Sequence, residues 1–209
     1  MEDQRGENAG DEAKHRQLPQ RKYRALIGVM LHDAGVIDRG ASFRREGHKM
    51  LKIASGGQTG VDRAALDIAC ELGIAYRGWC PKGGWAEDLP HPPGILGLYG
   101  DLCETPDSDP RQRTEWNVRD SDRLMVLVDK AGLAQSKGTA FAFECAKRFG
   151  KQHVIIDIDA EDATEQAAAF FGEGEGPLML CIGGPRESEA PGIYTKAREF
   201  LRHLLASQI

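Results

Sequence analysis

No apolar run in the 209-residue chain approaches the roughly 18 residues needed to span a bilayer, so a membrane partner is not expected. Cysteine is scarce and scattered: five residues, an odd number, with no C-x-x-C pair, which excludes a disulfide framework of the secreted kind. Cys70, Cys145 and Cys181 fall inside apolar segments, so free thiols in a reducing cytoplasm are expected. The six histidines are dispersed and no H-x-x-x-H pair occurs, which argues against a protein-ligated metal such as zinc. A G-x-S-x-G elbow is also missing, and Ser55 has no evident histidine partner. The N-terminus is rich in acids (Glu2, Asp3, Glu7, Asp11, Glu12), unlike a secretory n-region or a transit peptide.

Charge divides the chain unevenly. Residues 1–49 hold ten Lys/Arg and eight Asp/Glu, a balance of +2, and the remainder holds seventeen against twenty-four, a balance of −7; the two sum to the overall −5. An acidic folded portion is a poor match for a polyanion, so nucleic acid is not the expected partner. Residues 1–49 carry too little apolar surface to offset the entropy of ordering and are expected to form a disordered or non-native N-terminal extension. Met50 directly precedes the first strand-like segment; residues 50–209 are the expected folded domain, and Met50 could itself be a start site.

From there, strand-like runs alternate with amphipathic stretches. Leu51–Ala54, Ala75–Cys80, Arg123–Asp129, His153–Asp157 and Leu178–Ile182 read as strands. Val61 to Leu72, Arg111 to Ser121, Ser136 to Gly150, Glu161 to Phe171 and the segment after Ser188 read as helices. Five prolines make residues 84–110 an irregular loop, and loops of that length in compact domains are usually functional. The alternation implies an α/β fold: a Rossmann-like, doubly wound, mainly parallel sheet with helices on both faces and a ligand crevice at the strands' carboxyl ends.

Three glycine-bearing turns follow strands and are expected to open helices onto that crevice. Ser55-Gly56-Gly57-Gln58-Thr59-Gly60-Val61-Asp62-Arg63 is the strongest, with neither the G-x-G-x-x-G nor the Walker lysine spacing. Ser136-Lys137-Gly138-Thr139 and Gly183-Gly184-Pro185-Arg186-Glu187-Ser188 are the others. Glycines let a phosphate approach the backbone, and helix N–H groups with the dipole behind them favour an anion. Arg63 and Arg186 could clamp an oxyanion, while Ser136, Thr139 and Ser188 could equally be plain helix caps. Arg113, Trp116, Asn117 and Asp120 share one face of a strongly polar helix, which suits a cavity wall. Lys82, Glu87 and Asp88 in the loop could recognise hydroxyls, amines or ring N–H groups, or form a solvated cluster.

The segments Ser55 to Arg63, Gly78 to Gly83, Ala86 to Asp88, Arg113 to Asp122 and Gly184 to Ser188, in this order, resemble the molybdenum carrier family, which includes molybdenum cofactor carrier proteins. That family lies in the SLOG group of Rossmann-like nucleotide-binding domains. The resemblance spans residues 50 to about 206. It implies a homo-oligomer that binds molybdenum cofactor (molybdopterin) or another nucleotide-like phosphate ligand. It makes Gly56, Gly57, Gln58, Thr59, Gly60, Asp62, Arg63, Arg113, Asn117, Asp120, Gly138, Thr139 and Arg186 site candidates. Two features depart from the family pattern: Lys137 stands where glycine is expected, and residues 89–98 form an altered loop. Related SLOG-group phosphoribohydrolases split the N-glycosidic bond of nucleotides with a P-G-G-x-G-T-x-x-E turn. Glu144, five residues after Thr139, imitates that turn loosely, so binding is expected rather than hydrolysis; a nucleotide sensor is a further alternative.

Overall fold

The computed structural model describes residues 50–129, 136–172 and 176–208, so the expectation for residues 1–49 lies outside the described residues. Six strands form one sheet: β1 (Leu51–Ala54), β2 (Ala75–Cys80), β3 (Leu102–Glu104), β4 (Arg123–Val128), β5 (Gln152–Asp157) and β6 (Leu178–Gly183). Every pairing is parallel, in the order β3-β2-β1-β6-β4-β5. The helices are α1 (Val61–Leu72), α2 (Pro110–Arg119), α3 (Lys137–Arg148), α4 (Ala163–Gly172) and α5 (Ile193–Ala206).

Strand alternation sorts the core into two layers. Ile53, Met125, Leu127, Leu180 and Ile182 point to the face covered by α1, α4 and α5. Ala54, Leu124, Val126, Val128 and Cys181 point to the other, where Val118 of α2 and Cys145 and Ala146 of α3 meet them. Because β4 is buried on both faces, its sequence is an unbroken apolar run, as expected for a central parallel strand. Gly73 ends α1 in the left-handed conformation (φ 68°) and returns its N–H to the carbonyls of Ala69 and Cys70. Asp109 caps α2 by accepting from the Arg111 N–H, with Pro110 in the first turn.

The long loop is more regular than its prolines suggest. It contains β3, which extends the sheet from β2, and two short 3-10 turns at Lys82–Gly84 and Gly94–Gly97. Ile95, Tyr99 and Leu102 bury themselves against Leu66 and Cys80, giving the loop a small core of its own. Among the described residues no helix is long and apolar enough to cross a membrane.

Candidate functional site

Where β1 ends, the chain holds its turn with its own groups. The buried Ser55 hydroxyl reaches two carbonyls, those of Ile182 at 2.8 Å and Asp62 at 3.2 Å, which ties the turn to β6. Gln58 accepts from the N–H groups of Thr59 (3.1 Å) and Glu87 (2.9 Å). Arg63 donates to the Gly57 carbonyl at 3.1 Å and grips Asp88 with two bonds of 3.0 Å, so its charge has a bidentate partner. The Thr59 hydroxyl bonds Glu87, and the Ser188 hydroxyl donates to the same carboxylate at 2.6 Å. Burial pushes the Glu87 carboxyl up, but the hydrogen bonds from Ser188 and Thr59 and the nearby Arg186 charge outweigh it, leaving it below its ordinary value.

The helix that follows is closed as well. The leading N–H of α1, on Val61, donates to the Pro185 carbonyl at 3.3 Å. Gly60 (φ 76°) lies so close to the 185–187 main chain that a Cβ would sit 2.9 Å from Glu187 N. Gly57 also faces inward: with φ 67°, its missing Cβ points at Ile95 Cγ1 (2.8 Å) and Leu66 Cδ1 (3.2 Å), and the residue does not line the cavity. The absence of a Cβ at Gly57 thus has a reason in core packing.

A second correction concerns the turn after β6. Ser188 does not open a helix; α5 starts at Ile193, behind Gly192 in the left-handed region (φ 90°). Its N-terminus is closed by Glu187, whose carboxylate accepts from the N–H groups of Gly192 (2.5 Å) and Tyr194 (3.0 Å). Gly184 stays bare because a Cβ would run into Val61 Cγ2 at 2.7 Å and the Leu127 carbonyl.

On α2, Arg113 lies across the Cα of Gly56 and pairs with Asp62 at 2.7 Å, both side chains being largely buried. Asn117 has a different task. The last ladder bond between β1 and β2 runs from Ser55 N–H to the Arg77 carbonyl at 3.2 Å, after which β1 turns away. Trp79 is left with an unpaired N–H and C=O, and the Asn117 carboxamide takes both, at 2.8 and 2.9 Å. A side chain thus stands in for the missing strand. Asp120 accepts from the Trp79 indole N–H (2.8 Å) and from Arg119, outside the cavity, and those bonds hold its carboxyl below the usual range.

A cavity of about 510 Å³ opens between α2 and α3 at the carboxyl ends of the central strands. Gly56, Gln58, Asp62, Arg113 and Asn117 line one side, and Ser136, Gly138 and Thr139 at the head of α3 the other, with Gly184 and Arg186 from the turn after β6. Gly57, Thr59, Gly60, Arg63, Lys82, Glu87, Asp88, Asp120 and Ser188 do not line it. The Ser136 hydroxyl accepts from the Thr139 N–H at 3.2 Å, which caps the third position of α3 and leaves the Lys137 and Gly138 N–H groups at its mouth. Among the described residues, a Cβ on Gly138 would meet only Ser136 Oγ at 3.9 Å. The Arg186 guanidinium makes no hydrogen bond or ion pair among the described residues; it lies 5.6 Å from the centre of the Trp85 ring.

Among the lining residues that sequence reasoning missed are Arg111 and Phe141, which stack on each other at 4.4 Å. Arg111 precedes Arg113 by two positions in the polar helix, a usable signal; Phe141 reads as ordinary core. Cys181 is part of the floor, where burial and the Asp62 charge push its thiol up to about 12, so it remains a neutral thiol. Among the described residues no group of three His, Cys, Asp or Glu side chains is arranged to hold a metal ion.

A parallel sheet with helices on both faces and a crevice at its strand ends defines a Rossmann-like α/β protein. More narrowly, the chain belongs to the circularly permutated YpsA SLOG family, whose model matches residues 53–205. It is also similar to a crystal structure from Syntrophus aciditrophicus described as "Putative molybdenum carrier protein", at 36% identity and a TM-score of 0.61, over 74% of this chain and 94% of that one. No curated protein matches the chain. With β6 counted as the first strand, the observed order becomes 4-3-2-1-5-6, an unbroken walk from the centre to each edge, so moving one strand–helix unit from the front to the back of a doubly wound fold produces this topology.

Proposed function

We propose that the chain binds a phosphate-bearing, nucleotide-like small molecule in the cavity between α2 and α3, and that molybdenum cofactor, a phosphorylated pterin, is the first candidate cargo. The observation that carries this reading is the Arg186 guanidinium. It makes no hydrogen bond or ion pair among the described residues, lies near enough to Glu87 only to act on it through charge, and shares the cavity with the N-terminus of α3. A guanidinium and a helix N-terminus, two groups that favour negative charge, in one cavity suit a phosphate. The volume also suits a compact ligand, since pockets for such molecules span about 300–1,000 Å³. Arg113 contributes less charge, because Asp62 already neutralises it. The similarity to a molybdenum carrier supports the choice of cargo.

Native mass spectrometry of protein taken directly from cells tests the cargo: a phosphorylated pterin should travel with wild type and be lost from Arg186→Ala. Retention of the same small molecule by a folded Arg186→Ala variant would remove the cavity mouth from the site. A second reading, hydrolysis of nucleoside monophosphates, has one observation in its favour: Glu144 is among the residues that line the cavity. Incubation with nucleoside monophosphates should release no free base if carriage is the function, and release that disappears in Glu144→Gln would favour the enzyme.

A further inference from the structure

A second groove, of about 430 Å³, adjoins the cavity. Trp85, Pro90, Pro92 and Pro110 line it together with Lys82, Gly83 and Ser108. The groove and the cavity are neighbours in two ways. Pro110 lines both, and Arg186, which lines the cavity, lies over the Trp85 ring that lines the groove. The backbone beneath is tightly built: Gly84 and Gly94 approach so closely that a Cβ on Gly94 would overlap the Gly84 carbonyl. Proline and tryptophan rings have few rotamers to lose, so a surface built from them gives up little entropy on binding. Lys82, whose side chain has no hydrogen-bond partner among the described residues, adds a donor at its rim.

The tryptophan and proline rings offer a bare phosphate no donor, whereas a planar heterocycle can use both parts of the groove, its π-face on Trp85 and its edge carbonyls toward the Lys82 ammonium. We propose that this groove is the ring subsite of a two-part site: the ligand's heteroaromatic ring stacks on Trp85 while its phosphate enters the cavity at Arg186 and the head of α3. The proposal rests on the phosphate reading of the cavity and adds the place that holds the ligand's ring, whether that ring is a purine or a pterin. It also gives Arg186 two tasks, pairing with phosphate and fixing the Trp85 ring by a cation–π contact.

Guanosine 5′-monophosphate and ribose 5-phosphate serve as probes, because they differ by the ring alone. In calorimetric titrations of the full chain, the nucleotide should bind about 10-fold or more tightly than ribose 5-phosphate, in line with base–aromatic stacking. Trp85→Ala should erase that preference, bringing the two probes to equal affinity, while Trp85→Phe should keep much of it; if the alanine variant fails to fold, Trp85→Phe against wild type carries the comparison. Arg186→Ala should weaken both probes. A Trp85→Ala protein that retains the wild-type preference, or a wild type with no preference, overturns the ring subsite while the phosphate reading stands. Failure of both probes to bind wild type overturns the phosphate reading and the ring subsite with it.

Discussion

Two glycine-bearing turns, Ser55–Gly60 and Ser136–Thr139, look alike in sequence, each entering a helix with small polar residues, yet they do opposite work. In the first, Gly57 faces Ile95 and Leu66, Gly60 abuts the main chain of residues 185–187, and the leading N–H of α1 meets the Pro185 carbonyl. In the second, among the described residues, Gly138 faces open space and the side-chain cap on α3 is that of Ser136 on the Thr139 N–H. Every helix must satisfy its first N–H groups somehow. Whether the chain itself supplies the acceptor depends on what the rest of the fold brings near: for α1 it is the loop after β6, whereas the head of α3 lines the cavity.

The largest test of that contrast is Gly57→Val. A branched residue at φ 67° would have to displace Ile95 and Leu66, so urea melts should show a loss of about 3 kcal/mol or more. A folded variant of native stability would mean that the first turn is as open as the second. Next comes Asn117→Leu, which strips both Trp79 backbone groups of their partner and should destabilise by about 2–3 kcal/mol, read in the same way. An unchanged midpoint would show that water or another group replaces the carboxamide.

In the open turn the expected sign reverses. Gly138→Ala should raise the melting midpoint by about 0.5 kcal/mol of stability through helix propensity, and a clear loss of stability would show hidden packing there. A smaller effect concerns Glu87, whose folded pKa lies below the ordinary 4.5. Its hydrogen bonds therefore contribute stability above pH 4.5, and that contribution is lost as pH falls through the lowered value. Glu87→Gln should flatten this part of the acid limb of a stability-versus-pH curve, and an unchanged limb would take Glu87 out of the clasp. No effect at all is expected from starting the chain at Met50, as judged by its melting temperature; a drop of several degrees would move the domain boundary.

The main elements were legible because their signals are local. An apolar run such as Leu124–Val128 can only be a buried strand or a short buried helix, and its β-branched content and flanking charges favour the strand. Three features escaped. β3 is only Leu102–Glu104 and exists because β2 offers it a ladder, which no property of Leu-Cys-Glu announces. The start of α5 is set by Gly192 and by a carboxylate five residues upstream, so the glycines at 183 and 184 misled. Closure of the first turn depends on Pro185, Glu87 and Asp88, which come from distant parts of the chain. Local chemistry can mark a turn as able to hold an anion, but only the fold says whether the position is already taken.

The carboxamide that replaces a strand beside Trp79 has a consequence for how the molecule can be observed. A sheet amide ordinarily resists exchange with solvent deuterium because a neighbouring strand holds it. The Trp79 amide is held instead by a side chain carried on α2. Its exchange rate therefore reports the docking of that helix, and the arginine beside the cavity travels on the same helix. One backbone proton, followed by nuclear magnetic resonance, is a built-in gauge of how often that cavity wall lifts away.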